Sequence, residues 1–131
     1  MVFKNLAFAV LVALGSSAHG AVPNYAECTE QDFVDSRDAQ VTVEFQGSSY
    51  TPACLKVKRG TQITIPASAK HPLQAATDFD GVANPIRSEG GDRSTDFTFT
   101  ADVLGFFGYY CTRHADPETG EGMGGLIWVY E

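Results

Sequence analysis

The sequence predicts an all-β domain, a two-sheet antiparallel β-sandwich. Three observations carry that prediction: short stretches alternate apolar and polar residues with period two, glycines break them apart, and helical periodicity of useful length is missing. Residues 41–45, 61–65, 96–100 and 107–111 alternate in this way, and Cys54-Leu55-Lys56-Val57 begins another such stretch. Gly47, Arg59-Gly60, Gly90-Gly91 and Gly124-Gly125 read as the breaks. At most a turn or two of helix is expected, within residues 31–37 and 72–78. Internal repeats, low-complexity runs and linkers are not visible.

Taken from the start, residues 1–20 carry one charge, Lys4, followed by an apolar run over residues 6–14 and the small residues Gly15-Ser16-Ser17-Ala18. That is the three-part layout of a secretory signal peptide. Ala18 and Gly20 put small side chains at the −3 and −1 positions of a cut before Ala21, and a cut after Ala18 is also allowed. The apolar run has nine residues, whereas a membrane-spanning helix needs about 20. The expectation is an exported chain, periplasmic or secreted and not inserted in a membrane, whose residues 21–131 form one domain with a modest core.

The full chain has nine Lys and Arg against sixteen Asp and Glu, a net charge of −7. Loss of Lys4 with the leader makes it −8. Such a balance disfavours nucleic acid and anionic membrane surfaces and favours cationic partners. The acids at Glu27, Glu30, Asp32, Asp35 and Asp38 read as a solvated face.

Three cysteines in an oxidising compartment leave one odd. Cys28, in an acidic segment, and Cys54 have no histidine near them in sequence, so they are read as a disulfide pair. Cys111 is then the free thiol. The stretch between residues 65 and 94 is long for a compact domain, and such loops are usually functional or carry a short helix. It contains His71, directly after a strand in Ser68-Ala69-Lys70-His71-Pro72. A lone loop histidine is more often solvent-facing than a ligand, but His19 leaves with the leader, so only His71 and His114 remain.

The last quarter concentrates the chemistry. An aromatic strand ends on Cys111, His114 follows three positions later, and Met123 comes nine positions after that, before another apolar strand. A thiolate, an imidazole and a thioether on one loop are soft and borderline donors, a set that suits copper, and His71 would supply the second imidazole. The alternative for Met123 is a core gap-filler. Phe106 to Tyr110 read as core on one side and sheet surface on the other, and Trp128 as core.

These residues resemble the cupredoxins, the azurin, pseudoazurin and plastocyanin group of small blue-copper proteins. The resemblance rests on Cys28 with Cys54, on Cys54-Leu55-Lys56-Val57-Lys58-Arg59-Gly60-Thr61, and above all on Tyr109-Tyr110-Cys111-Thr112-Arg113-His114 followed by Gly122-Met123-Gly124-Gly125-Leu126-Ile127-Trp128-Val129. It implies a Greek-key β-sandwich holding one copper ion, Cu(I) or Cu(II), with His71, Cys111 and His114 equatorial and Met123 axial. The carbonyl of Lys70 stands as an alternative weak axial donor, and the amide of Thr112 or of another loop residue as a hydrogen bond to the sulfur.

Two departures stand out. Eight residues, 115–122, separate His114 from Met123, and the surplus over a plastocyanin-type loop reads as a solvated bulge. Pro72 follows His71 where many cupredoxins carry a bracing Asn, so another residue must supply the brace. The function implied is soluble one-electron transfer between redox partners, by way of the His114 edge, in a monomer that is not an enzyme. Asp116, Glu118 and Glu121 are candidates to dock a basic partner there. The alternative is a copper module for delivery, storage or assembly without an electron relay. Two histidines are too few for a multicopper oxidase, a thiol enzyme would lack a third orienting group, and zinc could take the same ligands.

Overall fold

The structure, a computed structural model, describes residues 20–87 and 92–131. Residues 1–19 of the expected leader, and the break at Gly90 and Gly91, lie outside the described residues. Ten strands follow one another: β1 (Val34–Ser36), β2 (Gln40–Thr42), β3 (Glu44–Gln46), β4 (Ser49–Thr51), β5 (Cys54–Lys58), β6 (Gln62–Ile65), β7 (Leu73–Ala75), β8 (Phe97–Thr100), β9 (Gly105–Ala115) and β10 (Gly122–Tyr130). A 3₁₀ turn at Glu30–Asp32 is the one helical element among the described residues; Thr29 and Asp32 cap it. None of them forms a helix long and apolar enough to cross a membrane.

The strands make a five-stranded sheet in the order β1-β5-β10-β9-β7, a three-stranded sheet β2-β6-β8, and a β3–β4 hairpin. The all-β sandwich expected from the sequence is therefore present, but its sheets are mixed. Strand β5 runs parallel to both β1 and β10, and β2 runs parallel to β6. Alternation along a strand reports which face is buried, not which way a distant neighbour runs. The stretch 41–45 is also two strands. Val43, fully buried, donates its amide to the Thr64 carbonyl at 2.9 Å. There the chain leaves the three-stranded sheet for the hairpin.

Two clusters of apolar side chains sit on opposite faces of the large sheet. One, between the two sheets, joins Leu55, Val57, Phe107, Tyr109, Cys111, Ile127 and Val129 to Ile63, Ile65, Val41, Phe97 and Phe99. The other packs Phe106, Leu126 and Trp128 against Tyr25, Cys28, Phe33, Ala76 and Phe79. The N-terminal segment thus covers the outer face, held down by the Cys28–Cys54 disulfide with a Cα–Cα distance of 5.8 Å. This corrects the reading of residues 106–110 as half surface: both faces of β9 are buried there. A strand buried on both faces loses its alternation, which is why β10 reads as a continuous apolar run.

Gly124 and Gly125 are also not a turn. They lie inside β10, opposite Tyr110 and Tyr109. A Cβ on Gly125 would sit 2.2 Å from the Tyr109 ring, so glycine is required by close approach. Residues 72–78 form no helix. Strand β7 occupies that stretch and pairs with β9 in the register Leu73↔Cys111, Gln74↔Tyr110, Ala75↔Tyr109.

Candidate metal centre

The register of β7 against β9 builds the site. With Leu73 opposite Cys111, antiparallel pairing carries His71 back along the sheet to the level of the residues after Cys111. The Thr112 amide fixes this end by donating to the Pro72 carbonyl at 3.0 Å. That bond corrects one expectation: the Thr112 amide is spent on the His71 loop and not on the sulfur. His71 itself is held by a reciprocal turn. Its amide lies 3.1 Å from both the Ser68 carbonyl and the Ser68 hydroxyl, and the Ser68 amide donates to the His71 carbonyl at 3.2 Å.

Three of the four sequence-predicted donors converge. The Cys111 sulfur lies 3.7 Å from His71 Nδ1 and 3.5 Å from His114 Nδ1. The three donor atoms all fall within 4.8 Å of one another. Cys111 is fully buried and unpaired by any disulfide, His71 is half-buried, and His114 is exposed. The imidazoles are 4.9 Å apart between centroids and tilted by 48°. Met123 belongs with Cys111 to the core cluster between the sheets and is fully buried. It faces a register shift between the pairs Gly122↔Ala115 and Gly124↔Tyr110, where residues 111–114 of β9 stand against Met123 alone, so the irregularity that re-aims side chains lies in β9.

Electrostatics favours a neutral His71. Burial, and then the positive charges that His114 and Lys70 bring near, hold the His71 imidazole below its usual pKa. Its ring nitrogen is thus free of a proton and able to donate a lone pair at neutral pH. A thiol sulfur and two imidazole nitrogens facing one another fit a single soft or borderline ion.

The surplus between His114 and Met123 is an ordered turn. Asp116 accepts from the amides of Glu118 at 2.9 Å and Thr119 at 3.4 Å, and its own amide donates to the Glu121 carbonyl at 2.9 Å. The N-terminal segment braces it: the Ala26 amide donates to the Thr119 carbonyl at 2.8 Å. Asp116, Glu118 and Glu121 remain exposed, as do the acids near the N-terminus.

Sequence reasoning missed Ser68 and Phe45. A serine three residues before the ligand, in a short polar run, is a turn-forming signal that could have marked Ser68 as the brace. Phe45 lies 4.6 Å from His71 between ring centroids, and nothing local in its strand pattern points to that contact.

No protein-family model and no curated protein matches the chain. Solved structures do match in fold. A copper-containing nitrite reductase from Thermus scotoductus aligns at 20% identity with a TM-score of 0.55, covering 83% of this chain and 31% of the enzyme, so this chain spans about a third of that protein. A pseudoazurin from a Sinorhizobium species aligns at 21% identity with a TM-score of 0.52, covering 75% of this chain and 76% of the other. The pseudoazurin of Methylobacterium extorquens aligns at 21% identity with a TM-score of 0.50, over 70% and 76% of the two chains. With its two mixed sheets and the Cys28–Cys54 link in place, the chain is cupredoxin-like in fold.

Proposed function

We propose that this chain is a type 1 copper protein acting as a one-electron carrier between redox partners outside the cytoplasm. One observation carries the reading: a buried thiol with an imidazole nitrogen 3.7 Å away on one side and another 3.5 Å away on the other. When bound, copper supplies the one-electron couple, and a His₂Cys plane with a weak thioether suits both of its oxidation states. His71, Cys111 and His114 would hold it, with Met123 as a fourth donor. Strand β9 would hold Cys111 and the Ser68 turn would hold His71, which keeps reorganisation small. Exposure of His114 leaves an imidazole edge within reach of a partner. Both histidines of residues 20–131 are used here, so no imidazole is left for a second copper centre of the kind an oxidase needs. The Cys28–Cys54 disulfide fits an exported protein, periplasmic or secreted.

Adding Cu(II) to the purified protein tests the reading. The expected product shows an intense thiolate-to-copper band in the visible, lost in Cys111→Ser and in His71→Ala. A colourless product sinks it. Electron self-exchange then separates the carrier from a copper-delivery or storage module: slow exchange in a protein with the intense band favours the module.

A further inference from the structure

The β3–β4 hairpin belongs to neither sheet of the sandwich, and its two faces differ. Glu44, Gln46, Ser49 and Thr51 point to solvent, whereas Phe45 is half-buried and Tyr50 buried. Phe45 and Tyr50 are direct cross-strand partners, so both project from the inner face. Phe45 is in ring contact with a candidate ligand, and Tyr50 with a neighbour of one. The Phe45 ring lies 4.6 Å from the His71 ring. The Tyr50 ring packs edge-on to Tyr109 at 4.9 Å, and Tyr109 precedes Cys111 by two residues on the same face of β9. The Tyr50 phenol is pushed far up from its ordinary pKa, by burial first and then by the nearby Cys111 sulfur. The hairpin is anchored by Tyr50 against Tyr109 and sets the Phe45 ring beside the histidine, tilted to it by 56°.

We propose that this hairpin is a hydrophobic clamp, with Phe45 the positioning residue that keeps water off His71 and so sets the reduction potential of the centre. The inference rests on the copper reading. An apolar shell controls solvent access and local dielectric, and through them the potential. Water reaching the His71 side favours the more highly charged oxidised state, so opening that side lowers the potential. The hydroxyls of Tyr50 and Tyr109 are buried and have no hydrogen-bond partner among the described residues. The two rings therefore act through shape and exclusion, not through a polar network.

Phe45→Ala tests the clamp. Copper-loaded variant and wild type are compared by reduction potential and by deuterium modulation of the Cu(II) pulsed EPR signal in D₂O. The expected result is an intact visible band, a downward shift in potential of the order of tenfold in relative affinity for the two oxidation states, or about 59 mV for one electron, and new deuterium coupling. An intact band with wild-type potential and no added deuterium coupling overturns the clamp. If the wild type forms no thiolate-to-copper band, the functional reading fails, and the clamp is judged on the metal-free protein. There, diethyl pyrocarbonate should modify His71 several-fold faster in Phe45→Ala while His114 keeps its rate, and equal His71 rates overturn the clamp. Should Phe45→Ala not fold, Phe45→Val carries the same expectations.

Discussion

Asn84 shows how much one side chain can hold in place without touching the metal centre. It is 3% exposed. Its amide group donates to the Ala76 carbonyl at 3.2 Å and to the Gly108 carbonyl at 2.9 Å, and its oxygen accepts from the Ile86 amide at 3.0 Å. These bonds lock the loop after β7 onto the back of β9, three residues before Cys111. Removing them leaves the buried Ala76 carbonyl and the buried Ile86 amide unpaired, while the Gly108 carbonyl keeps the Ala76 amide at 2.9 Å, and each unpaired group costs about 1–3 kcal/mol. Asn84→Ala should therefore destabilise the fold by about 3 kcal/mol, measured by denaturant unfolding. The visible band of the copper-loaded variant should keep its position, because the donors hang from other residues. A band that moves with the loss of stability would mean that this loop also shapes the ligands. Asn84→Asp should fare no better, since an ionised carboxylate cannot donate to either carbonyl.

At the scale of the element, β10 is the strand with least freedom. It is flanked by β5 and β9 and covered on both faces. Tyr109 crosses it at Gly125, where any Cβ would fall inside the ring, and Tyr109 is itself fully buried and cannot step aside. Gly125→Ala should cost about 2–3 kcal/mol, at the upper end of what overpacking a filled core costs. Tyr109→Leu combined with Gly125→Ala should recover part of that loss. No recovery in denaturant melts of the double variant would place the strain in the backbone and not in the ring contact. The same strand shows what the sequence could and could not tell. Its apolar run was legible as a strand, and so were Cys111 and His114 as donors, because their spacing is local. The glycine pair looked like a break because a close approach between strands leaves no mark in one strand's own pattern. His71 was found by elimination among histidines, while its contact with Phe45 depends on where a hairpin lands, which no local period encodes. The parallel pairings of β1, β5 and β10 were hidden for the same reason.

For the molecule as a whole, charge is the property that reaches farthest. The chain carries −7, or −8 without Lys4, and Asp116, Glu118 and Glu121 are exposed on the turn beside the exposed His114. A negative field around His114, the proposed point of electron entry, raises the local concentration of cationic reagents and repels anionic ones. Salt weakens both effects, with a screening length of about 8 Å at physiological ionic strength. Electron transfer between the copper-loaded protein and a cationic ruthenium ammine should therefore slow as salt is added, and transfer with an anionic iron cyanide complex should speed up. Asp116 is a poor place to probe this, because its carboxylate holds the turn through the amides of Glu118 and Thr119. Neither Glu118 nor Glu121 has a side-chain partner of that kind among the hydrogen bonds of the turn. The double variant Glu118→Lys, Glu121→Lys changes the charge by four and should flatten both salt slopes while leaving the visible band in place. Slopes unchanged from wild type would assign the steering to acids away from this turn. Electron entry would then lie away from His114, and the exposed imidazole edge would lose its role.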